Sequence, residues 1–172
     1  MVQKASAKLK FNRAWTFPEE VEKRIAGIVN SHPGNWLHAP VGISRIGRGP
    51  FNDNIVIETL DINEDLKPDH ICDIFKMEEY FGKKKFDGVI SDPIWYDKKK
   101  HKSKGLAYPD RRYLSYAIRN VLKPGGIFIF NGLWNPIVKG LKIEKVEVPM
   151  QQFSSFRNVS LLITLRKVNE VL

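Results

Sequence analysis

Phe86-Asp87-Gly88-Val89-Ile90-Ser91-Asp92-Pro93-Ile94-Trp95-Tyr96-Asp97 is the stretch on which the fold turns. Phe86, Val89 and Ile90 make a short apolar run, broken only by Gly88 and stopped at Ser91-Asp92-Pro93. A parallel strand buried on both faces reads this way, and a proline ends its hydrogen-bond ladder. Asp92, Pro93, Trp95 and Tyr96 then fall just past the strand's C-terminal end. In open α/β sheets that edge is where ligands bind. An acceptor, a rigid proline and two aromatics suit a flat ring that carries an amino group. Asp92 and the Pro93 carbonyl can accept its N–H groups. Trp95 can stack on the ring, a contact worth roughly 1–3 kcal/mol per base.

Working outward, an earlier strand is expected over 36–41, closing on Ala39-Pro40 and turning at Gly42. A glycine there lets the backbone approach a ligand closely. The segment is neither a P-loop, because Arg48-Gly49 stands where Lys-Ser/Thr is required, nor a GxGxxG turn. Ile55 to Leu60 reads as the next strand and closes on Asp61. An acidic residue about 20 positions beyond a glycine turn is placed to bond ribose hydroxyls. His70 to Asp73 reads as a short third strand. Asp73 also fits as the cap of a short helix over 76–81.

Further out, Thr16 and Glu19 have capping-box spacing, and Val21, Ile25, Ile28 and Val29 mark one face of a helix. A second helix opens at Pro109-Asp110 with Tyr113, Leu114, Ala117, Ile118, Val121 and Leu122 on one face. LKPGG then leads into a strand over 127–130. Two more strands are expected over 143–148 and 159–165. Residues 1–15 read as a loose basic arm.

The tetrapeptide Asp92-Pro93-Ile94-Trp95 resembles the Asp-Pro-Pro-Tyr/Trp motif of S-adenosylmethionine (SAM)-dependent amino-methyltransferases that act on adenine N6 or cytosine N4. Ile94 replaces the second proline. The likeness extends over about residues 35–167. It takes in the turn from Leu37 to Gly47, where Gly42 matches best, the LKPGG passage, and the closing strand pair. Where the family carries an acidic residue before the turn, this chain has Ala39. The resemblance implies a Rossmann-like α/β fold: a seven-stranded, mostly parallel sheet with a C-terminal antiparallel strand pair. It implies SAM as cofactor. Ala39, Pro40 and Gly42 would lie at its methionine end, Asp61 at the ribose, Asp73 at the adenine and Asp92 near the methyl group. It assigns Asp92, Pro93, Trp95 and Tyr96 to methyl transfer, with adenine N6 the first choice and cytosine N4 and guanine N2 open.

Composition narrows the partner. The 172 residues are enough for one domain with a core, and no apolar run approaches the ~20 residues of a membrane span. A single cysteine allows no internal disulfide, and four scattered histidines make no metal constellation. A cytoplasmic protein is expected, as monomer or homodimer. Lys and Arg number 28 against 19 acids, a net charge of +9. Lys98, Lys99, Lys100, Lys102 and Lys104 follow Tyr96 directly, with Arg111 and Arg112 beyond. A basic segment leaving the site points to DNA or RNA as partner. Two other readings stand beside it: a non-catalytic nucleic-acid-binding module on the same fold, and a methyltransferase for a small molecule or protein.

Overall fold

A computed structural model of the chain describes residues 17, 19–41, 46, 51–93, 110–149 and 161–168. Seven strands form one sheet: β1 Gly34–His38, β2 Ile55–Asp61, β3 His70–Ile71, β4 Phe86–Ser91, β5 Leu122–Gly132, β6 Leu141–Glu147 and β7 Leu161–Lys167. Their order is β3-β2-β1-β4-β5-β7-β6. The first five are parallel, and β7 inserts antiparallel between β5 and β6. This is the α/β, Rossmann-like, seven-stranded, mostly parallel architecture expected from the sequence.

The sheet is covered on both faces, which is why its central strands are apolar throughout. Helix α1, Glu19–Asn30, buries Val21, Ile25 and Val29 at four-residue spacing, and three glutamates in its first turn complement the helix dipole. These side chains meet Trp36, Ile90, Ile127, Ile129 and Leu162. On the other face lie α2, Met77–Phe81, and α3, Arg111–Val121. They cover Leu37, Leu60, Val89, Phe128, Phe130, Ile163 and Leu165. Neighbours in sequence, such as Trp36 and Leu37 or Val89 and Ile90, thus enter opposite cores.

Gly88 is explained by its partner across the ladder. It pairs with Trp36, and a Cβ at position 88 would lie 2.2 Å from the indole ring. The break in the apolar run of β4 is therefore the space that Trp36 occupies.

Asp110 caps α3 by accepting from the Arg112 and Tyr113 amides at 2.9 and 3.2 Å. The helix stops at Val121 because Pro124 disfavours helical backbone at Lys123.

Several boundaries differ from expectation. β1 ends at His38 rather than at residue 41, because Pro40 has no N–H to extend the ladder. β3 has two residues, not four, since Asp73 already caps a 3-10 turn, Ile74–Lys76. A 3-10 turn, Glu64–Leu66, connects β2 to β3. β5 begins at Leu122 rather than near residue 127. The register jumps from Phe86↔Leu122 to Gly88↔Ile127, so Lys123–Gly126 bulge outward. β6 and β7 lie about two residues from the expected spans. Among the described residues no helix is long and apolar enough to cross a membrane.

Candidate active site at the strand ends

The chain runs outward from β1 through β2 to β3, then returns to place β4 on the other side of β1. The C-terminal ends of β1 and β4 therefore flank a topological switch point, the crevice where open α/β sheets bind ligands. Asp73, Asp61, Ala39-Pro40, Asp92 and Asn131 follow one another along that edge, one strand after the next.

Ala39 and Pro40 leave β1 through a cis peptide bond. The Ala39 amide donates to the Ile90 carbonyl and the Val41 amide to the Leu60 carbonyl, both at 2.9 Å. The turn is thus tied to strands on both sides. Asp61 is buried, and its Oδ1 accepts the Asn63 amide at 2.9 Å, which fixes the carboxylate at the end of β2. Asp73 Oδ1 accepts the Phe75 amide at 3.0 Å. Its side chain thus performs the capping role that the sequence had offered as an alternative.

Asp92 follows Ser91, the last residue of β4. The residue is half-buried and Pro93 is buried. Desolvation of its carboxyl pushes the pKa up to about 7, against a hydrogen bond from the Asn131 side chain that pulls it down. The register explains that bond. Ser91 pairs with Phe130, so the next residues, Asp92 and Asn131, stand level on adjacent strands.

His38, at the end of β1, pairs with Ile90, two residues below Asp92 and on the same face. It is fully buried beside the Phe17 ring, and neither ring nitrogen has a hydrogen-bond partner among the described residues. Burial pushes its pKa down to about 3, so the imidazole is neutral. Ser91 Oγ and Asn131 Oδ1 are likewise buried without partners among the described residues.

His38 and Asn131 were missed in the sequence. Each is a lone polar residue ending an apolar run, WLH and IFIFN, the same signal that singled out Asp92. Arg111 and Arg112 stand exposed in the first turn of α3, with the Arg111 guanidinium 5.6 Å from the centre of the Trp134 ring, just past β5. Gly42, Ile94, Trp95, Tyr96, Lys98, Lys99, Lys100, Lys102 and Lys104 lie outside the described residues. The structure therefore brings Ala39, Pro40, Asp61, Asp73, Asp92 and Pro93 to one edge and adds His38 and Asn131.

No protein-family model matches the chain, and no curated protein matches it. Solved structures do. TrmN from Thermus thermophilus superposes with a TM-score of 0.64 at 14% identity over 86% of this chain and 48% of that one. This chain thus spans about half of the Thermus protein. The 1,6-didemethyltoxoflavin-N1-methyltransferase of Burkholderia thailandensis, solved with 1,6-didemethyltoxoflavin and S-adenosylhomocysteine, gives 0.59 at 13% identity, covering 88% and 80%. The N-methyltransferase NodS of Bradyrhizobium japonicum gives 0.60 at 11% identity, covering 86% and 94%. The chain therefore has a fold that N-methyltransferases also have.

Proposed function

We propose that the protein is a SAM-dependent methyltransferase that methylates an exocyclic amino group of a nucleic-acid base, adenine N6 first. The observation that carries this reading is the Asp92 carboxyl, half-buried at the switch point, in the tetrapeptide that resembles the amino-methyltransferase motif. The likeness of fold to N-methyltransferases supports it.

The strand ends fit SAM. A carboxylate fixed at the end of β2, as Asp61 is, suits a ribose diol. Ala39, Pro40 and Gly42 would line its methionine end, and Asp73 would stand near the adenine. When bound, SAM supplies an electrophilic methyl group. The chain's own residues prepare the acceptor. An exocyclic amine is a poor nucleophile because its lone pair is conjugated into the ring. Hydrogen bonds from its two N–H groups to Asp92 and the Pro93 carbonyl draw the nitrogen toward tetrahedral geometry and aim the lone pair. Such orientation is worth several kcal/mol of barrier. A carboxyl with a pKa about 7 is also matched to receiving the proton that the nitrogen sheds after methylation. Trp95 and Tyr96 are assigned to hold the ring. Lys98, Lys99, Lys100, Lys102, Lys104, Arg111 and Arg112 are assigned to phosphates around it. A duplex substrate would have to flip its base into the site.

A methyltransferase for a small molecule is the second reading, favoured by the likeness to the Burkholderia enzyme. One experiment separates the two. The protein is incubated with methyl-labelled SAM and, in separate reactions, single-stranded DNA, duplex DNA, tRNA, protein extract and a metabolite extract. Label in digested nucleoside is the expected result. Label only in the metabolite fraction sinks the nucleic-acid reading, and no SAM binding by calorimetry sinks both.

A further inference from the structure

We propose that Asn131 is the positioning residue for Asp92: its side-chain amide reaches across from β5 and holds the carboxyl in place at the end of β4. Its part in methyl transfer rests on the function proposed above.

The first observation is geometric. The register that pairs Ser91 with Phe130 sets the next residues, Asp92 and Asn131, level on adjacent parallel strands and toward the same face, and the Asn131 side chain acts on the Asp92 carboxyl by a hydrogen bond that favours its charged form. That contact is built into the register rather than into a loop.

The second observation is the cost of keeping Asn131. It is buried, its Oδ1 has no partner among the described residues, and its neighbours on that face are apolar: Ile129 below it and Leu162 across the ladder on β7, within the cluster that α1 completes. A buried acceptor left unpaired weakens a fold, and an apolar residue of similar volume would be neutral or better. The position thus holds a residue that the core does not favour, and its side chain acts on Asp92.

The third observation concerns charge. Burial drives Asp92 toward its neutral form, and the Asn131 donor opposes that. Among the described residues, the titratable groups on this face are His38, which is neutral, and Glu147 on β6, which is paired with Arg24 of α1. Removing the amide leaves burial unopposed.

The test uses Asn131→Leu, with Asn131→Ala as a second variant that adds no bulk, and takes three readings. Denaturant unfolding at pH 5, where the folded Asp92 carboxyl is protonated with or without the Asn131 donor, should show a variant at least as stable as wild type. Carboxyl-carbon NMR, with the Asp92 signal assigned through Asp92→Asn, should show Asp92 titrating about one pH unit higher, since hydrogen bonding to the charged form had favoured it. The acid limb of the methyl-transfer profile should move up with it, lowering turnover at pH 6 on the order of tenfold. An unchanged Asp92 titration in either folded variant overturns the proposal. So does a clear loss of stability in both variants, which would make Asn131 a structural residue. The titration needs neither cofactor nor substrate. A wild-type protein that fails to bind SAM therefore overturns the proposed function, while the titration still decides Asn131.

Discussion

Asp87 and Asp92 stand at opposite ends of β4 and meet opposite fates. Asp87 accepts the Lys123 ammonium at 2.8 and 2.9 Å and the Asn35 amide at 2.9 Å. Burial pushes its carboxyl up, but Lys123 and Asn35 outweigh that, and its pKa ends below the usual value. Asp92 has the reverse balance. Burial outweighs Asn131, and the pKa rises to about 7. Around Asp87 the polar groups are spent on holding strands together, and Lys167 adds bonds to the Arg119 and Leu122 carbonyls at 2.7 and 2.6 Å. Around Asp92, His38, Ser91 and Asn131 keep buried polar atoms that no group among the described residues satisfies. One end of the sheet is built for stability. The other carries groups that cost stability, the usual mark of a site kept for a ligand.

The sharpest way to break this division is Asp92→Asn. At the ligand end, function should fall while stability rises. Methyl transfer should be abolished, with SAM affinity within a few-fold of wild type by calorimetry. A carboxyl that titrates near 7 when folded and near 3.9 when unfolded binds more protons in the folded state between those values. The fold therefore loses stability as pH rises from about 4 to 7. Asn is neutral throughout. The variant should thus gain on the order of 2–4 kcal/mol at pH 8 and little at pH 4. Wild-type turnover would remove the amino-methylation mechanism. Equal unfolding free energies at pH 8 would remove the buried, costly carboxyl.

His38→Phe should sharpen the contrast at smaller amplitude. The folded pKa is about 3, against about 6.5 in an unfolded chain. Between these values the unfolded state holds the extra proton, so stability falls as pH falls. The loss should reach about 2 kcal/mol by pH 5. With Asp92 also changed to Asn, so that the opposing carboxyl no longer titrates, the Phe variant should keep its melting temperature over that range while the His38 form loses it. In the Asp92→Asn background, where that opposing titration is absent, a melting temperature that does not change from pH 7 to 5 would mean His38 is not the neutral, buried base described.

The sequence made the sheet legible because its strands are local patterns. Phe86–Ser91 and Ile55–Asp61 declare themselves as apolar runs, and Asp110 declares the start of α3. Asp92 was legible for the same reason, as a polar residue ending such a run beside a proline. Its partner was not. Asn131 lies 39 positions along the chain (131 less 92), and only the β4–β5 register places it opposite. Strand order and register are set by packing between segments, and a single strand's pattern does not contain them. The early end of β1 was open to the same reading, since Pro40 is in plain view. The apolar Val41 beyond it suggested a longer strand.

The smallest expected effect belongs to the stable end. Asp87→Ala removes the Lys123 ion pair and the bond from Asn35, and it empties the space beside Gly34. That glycine has a φ of +135°, and a Cβ there would lie 2.6 Å from the Asp87 carboxylate. Both charged side chains are roughly one-third exposed, 34% for Asp87 and 41% for Lys123, so water screens the pair and its share is modest. The loss should be about 1 kcal/mol at pH 7, combining a screened ion pair with one backbone hydrogen bond. A carboxyl whose folded pKa is depressed contributes stability above its unfolded pKa, near 3.9, and loses that contribution as pH falls through the folded value. The difference between wild type and Asp87→Ala should therefore shrink in acid, the opposite of Asp92→Asn, whose gain appears only as pH rises. SAM binding and methyl transfer should not change, because Asp87 lies at the far end of the strand. Denaturant unfolding at pH 7 and 3.5, beside calorimetry with SAM, reads all of this. If Asp87→Ala lost cofactor binding while still folded, the two ends of β4 would not be the separate regions that their hydrogen bonds make them.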